Sequence, residues 1–363
     1  MQNDLSKMNG RQYIDYLRAK QTDRIMPFSI TFELTPLCNF RCKMCYIRLE
    51  KDQLHASGKI LSIDEWIGIA NQAKDAGVFK IVFTGGEVFS YPHFQMLYET
   101  VYDMGFHISI ISNGYLIDEK AALWLRKRKP DFIKITLYGA SNEIYKEVCG
   151  VDDGFTKVTS NIIRLRKMGI SVLTCMTVIE DNRKDVEEVR NWAESQNLQF
   201  VSSKVIRKKA GNAYSNPESA RVSFDFETDV KADDIRHTID LFPKKNNSPF
   251  ENCVVYHNSC IISWNGKVKG CNFINSITSD IREGELLECF KELWAKLDTI
   301  RRPKRCMDCQ YLRFCNPCPG TLEGESGNPE EPSKYVCDLA KWRFYNLNID
   351  KSVDCYHEIE PCE

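Results

Sequence analysis

The sequence has no excess of charge of either sign. Its 49 lysines and arginines against 50 aspartates and glutamates leave a formal net charge of −1, whereas a nucleic-acid partner or an anionic membrane surface would favour a basic excess. It also lacks an apolar run long enough to span a membrane, and its first residues contain no apolar signal-peptide segment. We therefore expect a cytoplasmic protein with no nucleic-acid partner and no membrane partner.

Cysteine, in contrast, is abundant and unevenly distributed. The chain has 16 cysteines in 363 residues, of which five precede residue 253 and eleven follow from there. In a cytosolic protein so many cysteines favour metal binding over disulfides. The length allows two domains. The concentration of cysteines from residue 253 onward predicts that the second domain binds metal.

Three of the early cysteines, Cys38, Cys42 and Cys45, are spaced C-x3-C-x2-C after a predicted strand over residues 29–34 that Pro36 ends. Three thiolates within eight residues can surround one small metal centre. A [4Fe–4S] cluster normally has four cysteine ligands, so three would leave one iron open for a substrate or cofactor. A structural zinc knuckle is the alternative, but it needs a fourth protein ligand, and apart from Cys38 and Cys42 no Cys or His lies within nine residues of Cys45.

From residue 27 to about 210, predicted strands and helices alternate. The strands are expected at 29–34, 79–84, 107–112, 132–137, 171–177 and 199–206, and the helices at 62–76, 94–104, 118–127, 154–168 and 184–195. Ser62 and Glu65 form a capping-box signature at one helix start. This alternation predicts βαβ units and a parallel sheet. In parallel barrels the active site lies at the carboxyl ends of the strands.

Polar and glycine residues follow the predicted strands at those ends. Gly85, Gly86 and Glu87 follow the second strand, and two glycines allow a close approach of backbone to a ligand. Ser112 and Asn113 follow the third strand, although Asn113-Gly114 is also a common turn.

The cysteine spacing and the Gly-Gly-Glu segment resemble the radical S-adenosylmethionine (SAM) superfamily. The resemblance implies an α/β fold with a partial (β/α)6 TIM-like barrel, and a [4Fe–4S] cluster whose open iron chelates SAM. Reductive cleavage of SAM would release a 5′-deoxyadenosyl radical that abstracts hydrogen from the substrate. The implied SAM-binding residues are Met44, Gly85, Gly86, Glu87, Ser112 and Asn113. Tyr138 is a candidate for lining the substrate cavity, with a buried, hydrogen-bonded tyrosine as the alternative.

The second half of the chain contains a predicted hairpin and two C-x2-C pairs. Asn265-Gly266 between two apolar alternations predicts the hairpin. The pairs Cys306/Cys309 and Cys315/Cys318 indicate either iron–sulfur clusters or zinc.

This half resembles the SPASM domain, a cysteine-rich domain of peptide-modifying radical SAM enzymes. The resemblance implies two auxiliary [4Fe–4S] clusters, hence three clusters in all. The outer one would be held by Cys306, Cys309, Cys315 and Cys337, and the inner one by Cys253, Cys260, Cys271 and Cys318. The remaining cysteines, Cys149, Cys175, Cys289, Cys355 and Cys362, are expected to pack as small apolar residues or to lie in a tail.

The resemblance implies an enzyme that modifies a ribosomally made peptide, with an electron donor such as flavodoxin or ferredoxin. The alternatives are formylglycine formation, as in anaerobic sulfatase maturases, a small-molecule substrate, and a zinc-binding adaptor. Asn272 follows Cys271 where the sulfatase maturases have an aspartate that is thought to act as base, which favours the first expectation. The expected domains are an extension (1–26) with a short helix over residues 8–17, the radical SAM core (27–210), a connector (211–250) with a helix around 232–241, the SPASM domain (251–340) and a tail (341–363).

Overall fold

The computed structural model describes residues 9–203, 216–223, 248–250 and 253–346. The chain divides into two compact units, the first comprising Met1–Arg221 and Val255–Ala295, the second Val222–Val254 and Lys296–Glu363. The helix predicted around 232–241, together with Cys355 and Cys362, lies outside the described residues. Among the helices that are described, none is both long enough and apolar enough to cross a membrane.

The first unit is built on one sheet. Its strands are β1 (Ser29–Glu33), β2 (Lys80–Thr84), β3 (His107–Ser112), β4 (Phe132–Thr136), β5 (Val172–Thr177), β6 (Gln199–Ser203), β7 (Ser259–Ser263), β8 (Lys267–Lys269) and β9 (Ser279–Asp280). Their order across the sheet is β6-β5-β4-β3-β2-β1-β7-β8-β9. Strands β1 to β6 pair in parallel, which confirms the predicted α/β core of successive βαβ units.

The helices of the first unit are α1 (Gly10–Asp23), α2 (Lys51–Ser57), α3 (Ile63–Asp75), α4 (Phe94–Asp103), α5 (Glu119–Lys127), α6 (Asn142–Cys149), α7 (Gly154–Lys167), α8 (Val186–Ser195) and α9 (Leu286–Leu297), which runs on into the second unit. Helix α3 begins with the predicted capping box. Ser62 Oγ accepts a hydrogen bond from Glu65 N at 3.2 Å, and the Glu65 carboxylate accepts one from Ser62 N at 2.7 Å.

Among helices α1 to α8, three differ from the prediction, and α9 was not predicted. The N-terminal helix, expected at residues 8–17, extends to Asp23. Helices α2 and α6 were not expected, because segments of seven and eight residues carry too little apolar periodicity to be recognised. Helix α6 has a local start signal nevertheless, since Ser141 Oγ accepts a hydrogen bond from Ile144 N at 3.4 Å.

Burial alternates along β1 and sets the direction of each side chain. Ile30 and Phe32 are fully buried, and the Phe32 ring packs on Trp66 of α3 with centroids 4.8 Å apart. Successive side chains of a strand point to opposite faces of the sheet. Thr31 and Glu33 therefore point away from α3.

The predicted hairpin is confirmed and extends the sheet. Strand β7 pairs in parallel with β1, so that Glu33 lies opposite Ser263. Strand β8 then pairs antiparallel with β7, through a turn in which Gly266 has a φ of 87°. Glycine suits this left-handed conformation because it has no Cβ to clash.

The second unit contains Cys306, Cys309, Cys315, Cys318 and Cys337. Its short helices are α10 (Lys304–Met307), α11 (Pro319–Ser326) and α12 (Lys334–Asn346). A small core forms where Cys315, Leu322, Val336 and Ala340 are buried together.

Candidate active site

The loop that carries Cys38, Cys42 and Cys45 leaves β1 at the carboxyl edge of the sheet. Two backbone hydrogen bonds tie it to the end of α6, from Arg41 N to Cys149 O at 2.7 Å and from Lys43 N to Val148 O at 3.0 Å. The loop is therefore anchored on both sides of Cys42.

Gly85 and Gly86 bring the end of β2 against the same loop. Gly86 N donates to Thr35 O at 2.6 Å, and Glu87 N donates to Leu37 O at 3.0 Å. A Cβ on Gly86 would lie 2.4 Å from Leu37 O, a distance that atoms do not tolerate. The close approach expected of these glycines is thus made to the chain's own cysteine loop.

A cavity of about 280 Å³ opens where these segments meet. The last residues of four parallel strands line it, namely Thr84, Ser112, Thr136 and Thr177. The other lining residues are Cys38, Phe40, Cys42, Met44, Cys45, Tyr46, Ile47, Gly85, Gly86, Ile111, Asn113, Tyr138 and Phe273. The structure therefore brings together every residue predicted for the SAM-cleaving site except Glu87.

Glu87 lies behind the rim of this cavity. Its buried carboxylate accepts hydrogen bonds from Phe89 N at 3.1 Å, Ser112 Oγ at 2.8 Å and Asn113 N at 2.8 Å. Burial raises the pKa of this carboxyl, and the three donors oppose the rise. The carboxylate thus fixes the positions of Ser112 and Asn113, which do line the cavity.

The three cysteines of the loop could serve as sulfur ligands of a metal centre. Burial raises the pKa of the Cys38 thiol, and Glu87 and the other two cysteines raise it further. The pKa of Cys45 rises to about 11, chiefly through burial and secondly through Cys42. The thiols of Cys38 and Cys45, which resist ionisation in the absence of a metal, would be deprotonated readily by a metal centre, because its positive charge reverses this electrostatic cost.

Tyr138 lines the cavity beside the cysteines. Burial raises the pKa of its phenol most, and Cys42, Cys149 and Cys38 add to the rise. Its ring contacts Phe40 edge-on, with centroids 5.9 Å apart. Tyr138 therefore lines the cavity and also packs against Phe40.

A second cavity of about 330 Å³ contains a carboxylate that sequence reasoning missed. Glu33, the last residue of β1, lines it and is only 4% exposed. Asn272 also lines it, and its Nδ2 donates to the Tyr46 hydroxyl at 3.0 Å. Tyr46 and Ile47 line both cavities. The position of a charged residue at the end of a buried strand could have indicated Glu33 as a site residue.

The cysteines of the predicted outer set influence one another's pKa in the second unit. Burial raises the pKa of Cys306 to about 11, and Cys337 and Cys309 contribute to the rise. The pKa of Cys315 is raised by burial and then by Cys306, Cys337 and Cys309. The four thiols are therefore electrostatic neighbours.

The inner set is distributed differently. Cys260 is fully buried on β7 opposite Ile30. Burial raises the pKa of its thiol, and the neighbouring thiol of Cys289 raises it further. Cys271 lies near Tyr46, whose pKa it helps to raise, and Cys253 and Cys318 belong to the second unit. Within the described ranges, no three Cys, His, Asp or Glu side chains gather as ligands of a single metal ion. The inner ligand set stays a prediction.

Comparison with known proteins adds family and fold. Residues 32–193 match the Radical SAM superfamily. The antilisterial bacteriocin subtilosin biosynthesis protein AlbA of Bacillus subtilis is 25% identical over 334 residues, covering 87% of this chain and 72% of AlbA. A probable GTP 3′,8-cyclase of Saccharolobus islandicus is 30% identical over 167 residues, covering 46% of this chain and 52% of the cyclase.

Among solved structures, Streptococcus suis SuiB bound to S-adenosylmethionine matches with a TM-score of 0.67 and 17% identity, over 91% of this chain and 83% of SuiB. SuiB is also known bound to the precursor peptide SuiA, with a TM-score of 0.66. These likenesses confirm the predicted fold class.

Proposed function

We propose that the protein cleaves SAM reductively and abstracts a hydrogen atom from a peptide, on the premise that residues 32–193 match the Radical SAM superfamily. The observation that carries the proposal is the cavity shared by the three loop cysteines, the two glycines, Ser112 and Asn113. A [4Fe–4S] cluster held by Cys38, Cys42 and Cys45, with SAM on its open iron, would supply the 5′-deoxyadenosyl radical.

The surrounding residues hold the cavity in shape for these groups. Asn113 Nδ2 lies 3.7 Å from Cys38 Sγ and donates to Asn39 Oδ1 at 2.8 Å. Its backbone N is held by Glu87. Asn113 therefore presents a fixed polar side chain beside the cysteines, where it would orient the polar groups of SAM.

A peptide substrate is supported by the extent of the match to AlbA, a bacteriocin biosynthesis protein, which covers both halves of this chain. SuiB, which shares the fold, binds a precursor peptide. The match to the probable cyclase covers only 46% of this chain, so it supports a small-molecule substrate less. The modified product would be an altered or cross-linked ribosomal peptide.

We further propose that the cysteine-rich half holds two auxiliary clusters. The mutual influence of Cys306, Cys309, Cys315 and Cys337 supports the outer one. Such clusters would accept the electron left after hydrogen abstraction or orient the substrate. A flavodoxin or ferredoxin would reduce the SAM-cleaving cluster.

The proposal is tested by replacing Cys38, Cys42 and Cys45 with alanine together, with Cys289→Ala as the control that removes a buried thiol outside the predicted sets. After anaerobic reconstitution and addition of dithionite, the control should release 5′-deoxyadenosine from SAM and the triple variant should not. SAM cleavage by the triple variant would refute the assignment.

The substrate class is tested with deuterium-labelled peptides encoded by small reading frames beside the gene. Transfer of deuterium from a peptide into 5′-deoxyadenosine would establish that the peptide is the hydrogen donor. Transfer from a labelled nucleotide such as GTP, with none from any peptide, would favour the small-molecule alternative instead.

Formylglycine formation is the second candidate, because Glu33 places a carboxylate in the cavity that Asn272 lines. An amide such as Asn272 cannot take the proton of a substrate thiol or hydroxyl, whereas a carboxylate can. We expect a cysteine-containing sulfatase-motif peptide to remain unoxidised by the enzyme, SAM and reductant. A mass change that matches formylglycine, lost in Glu33→Gln, would reverse this preference.

A further inference from the structure

The three loop cysteines differ in the groups that donate hydrogen bonds to their sulfur atoms. Phe40 N donates to Cys38 Sγ at 3.4 Å, and Arg48 N donates to Cys45 Sγ at 3.3 Å. The polar neighbours of Cys42 Sγ are side chains instead, and the Tyr138 hydroxyl is one of them. The Sγ atom of Cys149 lies 3.5 Å from it.

Cys149 is fixed in this position by its helix. It is the last residue of α6 and is fully buried. The loop residues on either side of Cys42, Arg41 and Lys43, donate their backbone N–H groups to the last carbonyls of α6. These backbone contacts therefore hold the Cα atoms of Cys42 and Cys149 near each other.

We propose that Cys149 is a positioning residue of the cluster site, whose thiol donates a hydrogen bond to the sulfur of Cys42. This inference rests on the proposed function, in which Cys42 is a cluster ligand. A ligand sulfur is a thiolate and can only accept, so the hydrogen atom between the two sulfurs belongs to Cys149. No expectation drawn from the sequence gave Cys149 more than a packing role.

The hydrogen bond has a consequence for reduction of the cluster. Reduction adds negative charge to the cluster, which its ligand sulfurs share, and a donor beside one of them stabilises that charge. Hydrogen bonds to the sulfurs are among the factors that set the reduction potential of an iron–sulfur cluster. Cys149 therefore raises the potential of the SAM-cleaving cluster and makes it easier to reduce.

The test is a redox titration of the reconstituted holoenzyme followed by EPR. The SAM-cleaving cluster is identified as the one whose signal changes on addition of SAM, because only it has an open iron. In Cys149→Ala, the ratio of reduced to oxidised cluster at a fixed potential should fall roughly two- to ten-fold, the equivalent of one hydrogen bond. Cys149→Ser keeps a donor and should lie closer to wild type, and Cys289→Ala should not differ from it.

A potential in Cys149→Ala equal to that of wild type, with the same iron content, would overturn the inference. If Cys149→Ala fails to load iron, Cys149→Ser and Cys149→Val are compared instead, and equal potentials in those two would overturn it. A wild-type protein without any SAM-sensitive cluster signal would refute the proposed function, which is a separate outcome.

The juxtaposition itself is tested without the cluster. Diamide takes one hydrogen from each of two neighbouring thiols and joins them as a disulfide. Iron-free protein treated with diamide should yield a peptide linked through Cys42 and Cys149, and reconstituted protein should be protected from this. Disulfides confined to pairs among Cys38, Cys42 and Cys45 would show that Cys149 is not the neighbour of Cys42.

Discussion

Glu87 organises the rim of the active site through the residues that it holds. One carboxylate oxygen accepts from Phe89 N and Ser112 Oγ, and the other accepts from Asn113 N. An amide in its place must turn its NH2 group toward one of these donors. Either orientation leaves a buried donor without an acceptor.

Replacing Glu87 with Gln should therefore lower the free energy of unfolding by about 1.5–3 kcal/mol, the range for hydrogen bonds to charged groups. The measurement is urea unfolding of the iron-free protein under reducing conditions. The matched control is Glu194→Gln on the exposed side of α8, where a change within about 0.5 kcal/mol is expected. Equal stabilities of the two variants would contradict the role given to Glu87.

Glu33 is the second buried carboxyl at the carboxyl edge of the sheet. Burial raises its pKa above the ordinary value of 4.5, and Lys269 and Ser263 oppose the rise. Because the folded state binds this proton more tightly than the unfolded state does, protonation of Glu33 stabilises the folded state fully below pH 4.5. This stabilisation is lost as the pH rises through the folded-state pKa.

We expect Glu33→Gln to lose this pH dependence. The free energy of unfolding of the variant minus that of wild type should increase from pH 4.5 upward, and it should level off above the raised pKa. Other groups titrate equally in both proteins and cancel in the difference. Urea unfolding at a series of pH values measures it, and a difference that stays constant or falls with pH would show that the pKa of Glu33 is not raised.

At the scale of elements, the sequence predicted the framework of the site well. The alternating strands, the capping box of α3 and the Asn265-Gly266 turn are local signals, and each is confirmed by the structure. Helix α6 was missed because it is short, and the contact of Cys149 with Cys42 depends on that helix. The pairing of β7 with β1 joins distant parts of the chain, and no local pattern could indicate it.

The junction between the loop after β2 and the cysteine loop gives a prediction at this scale. A Cβ on Gly86 would meet the backbone of Leu37 and Pro36 at 2.4–2.8 Å, and backbone atoms cannot move aside without displacing the cysteine loop. Gly86→Ala should therefore lower the free energy of unfolding by about 1–3 kcal/mol. It should also reduce the iron that the protein retains after reconstitution.

Gly68→Ala is the matched control, because Gly68 lies within α3 and a Cβ there would have no atom within 4 Å. That change should raise stability by about 0.5–1 kcal/mol, since alanine loses less entropy in a helix. Full iron loading of Gly86→Ala would mean that the cysteine loop can move at this junction without losing its metal-binding geometry.

At the scale of the molecule, the cysteines fall into sets that belong to different compact units. The loop cysteines lie in the first unit, and Cys306, Cys309, Cys315 and Cys337 lie in the second. The resemblance to the SPASM domain implied the second set, whereas sequence spacing could indicate the first because its members are close in the chain. Sequence spacing could not decide which cysteines form the inner set. Its proposed members come from both units and include Cys260, a buried neighbour of Cys289.

Iron analysis tests the sets together. If each of three sets holds one four-iron cluster, the reconstituted protein should contain about twelve irons per chain. Replacing Cys306, Cys309, Cys315 and Cys337 with alanine should lower this to about eight, and so should replacing Cys38, Cys42 and Cys45, while Cys289→Ala should retain all twelve. Because zinc competes for the same thiolates, zinc is measured in the same samples. About four irons in the wild-type protein, with zinc at the remaining sites and little brown colour, would mean that the cysteine-rich half is held together by zinc.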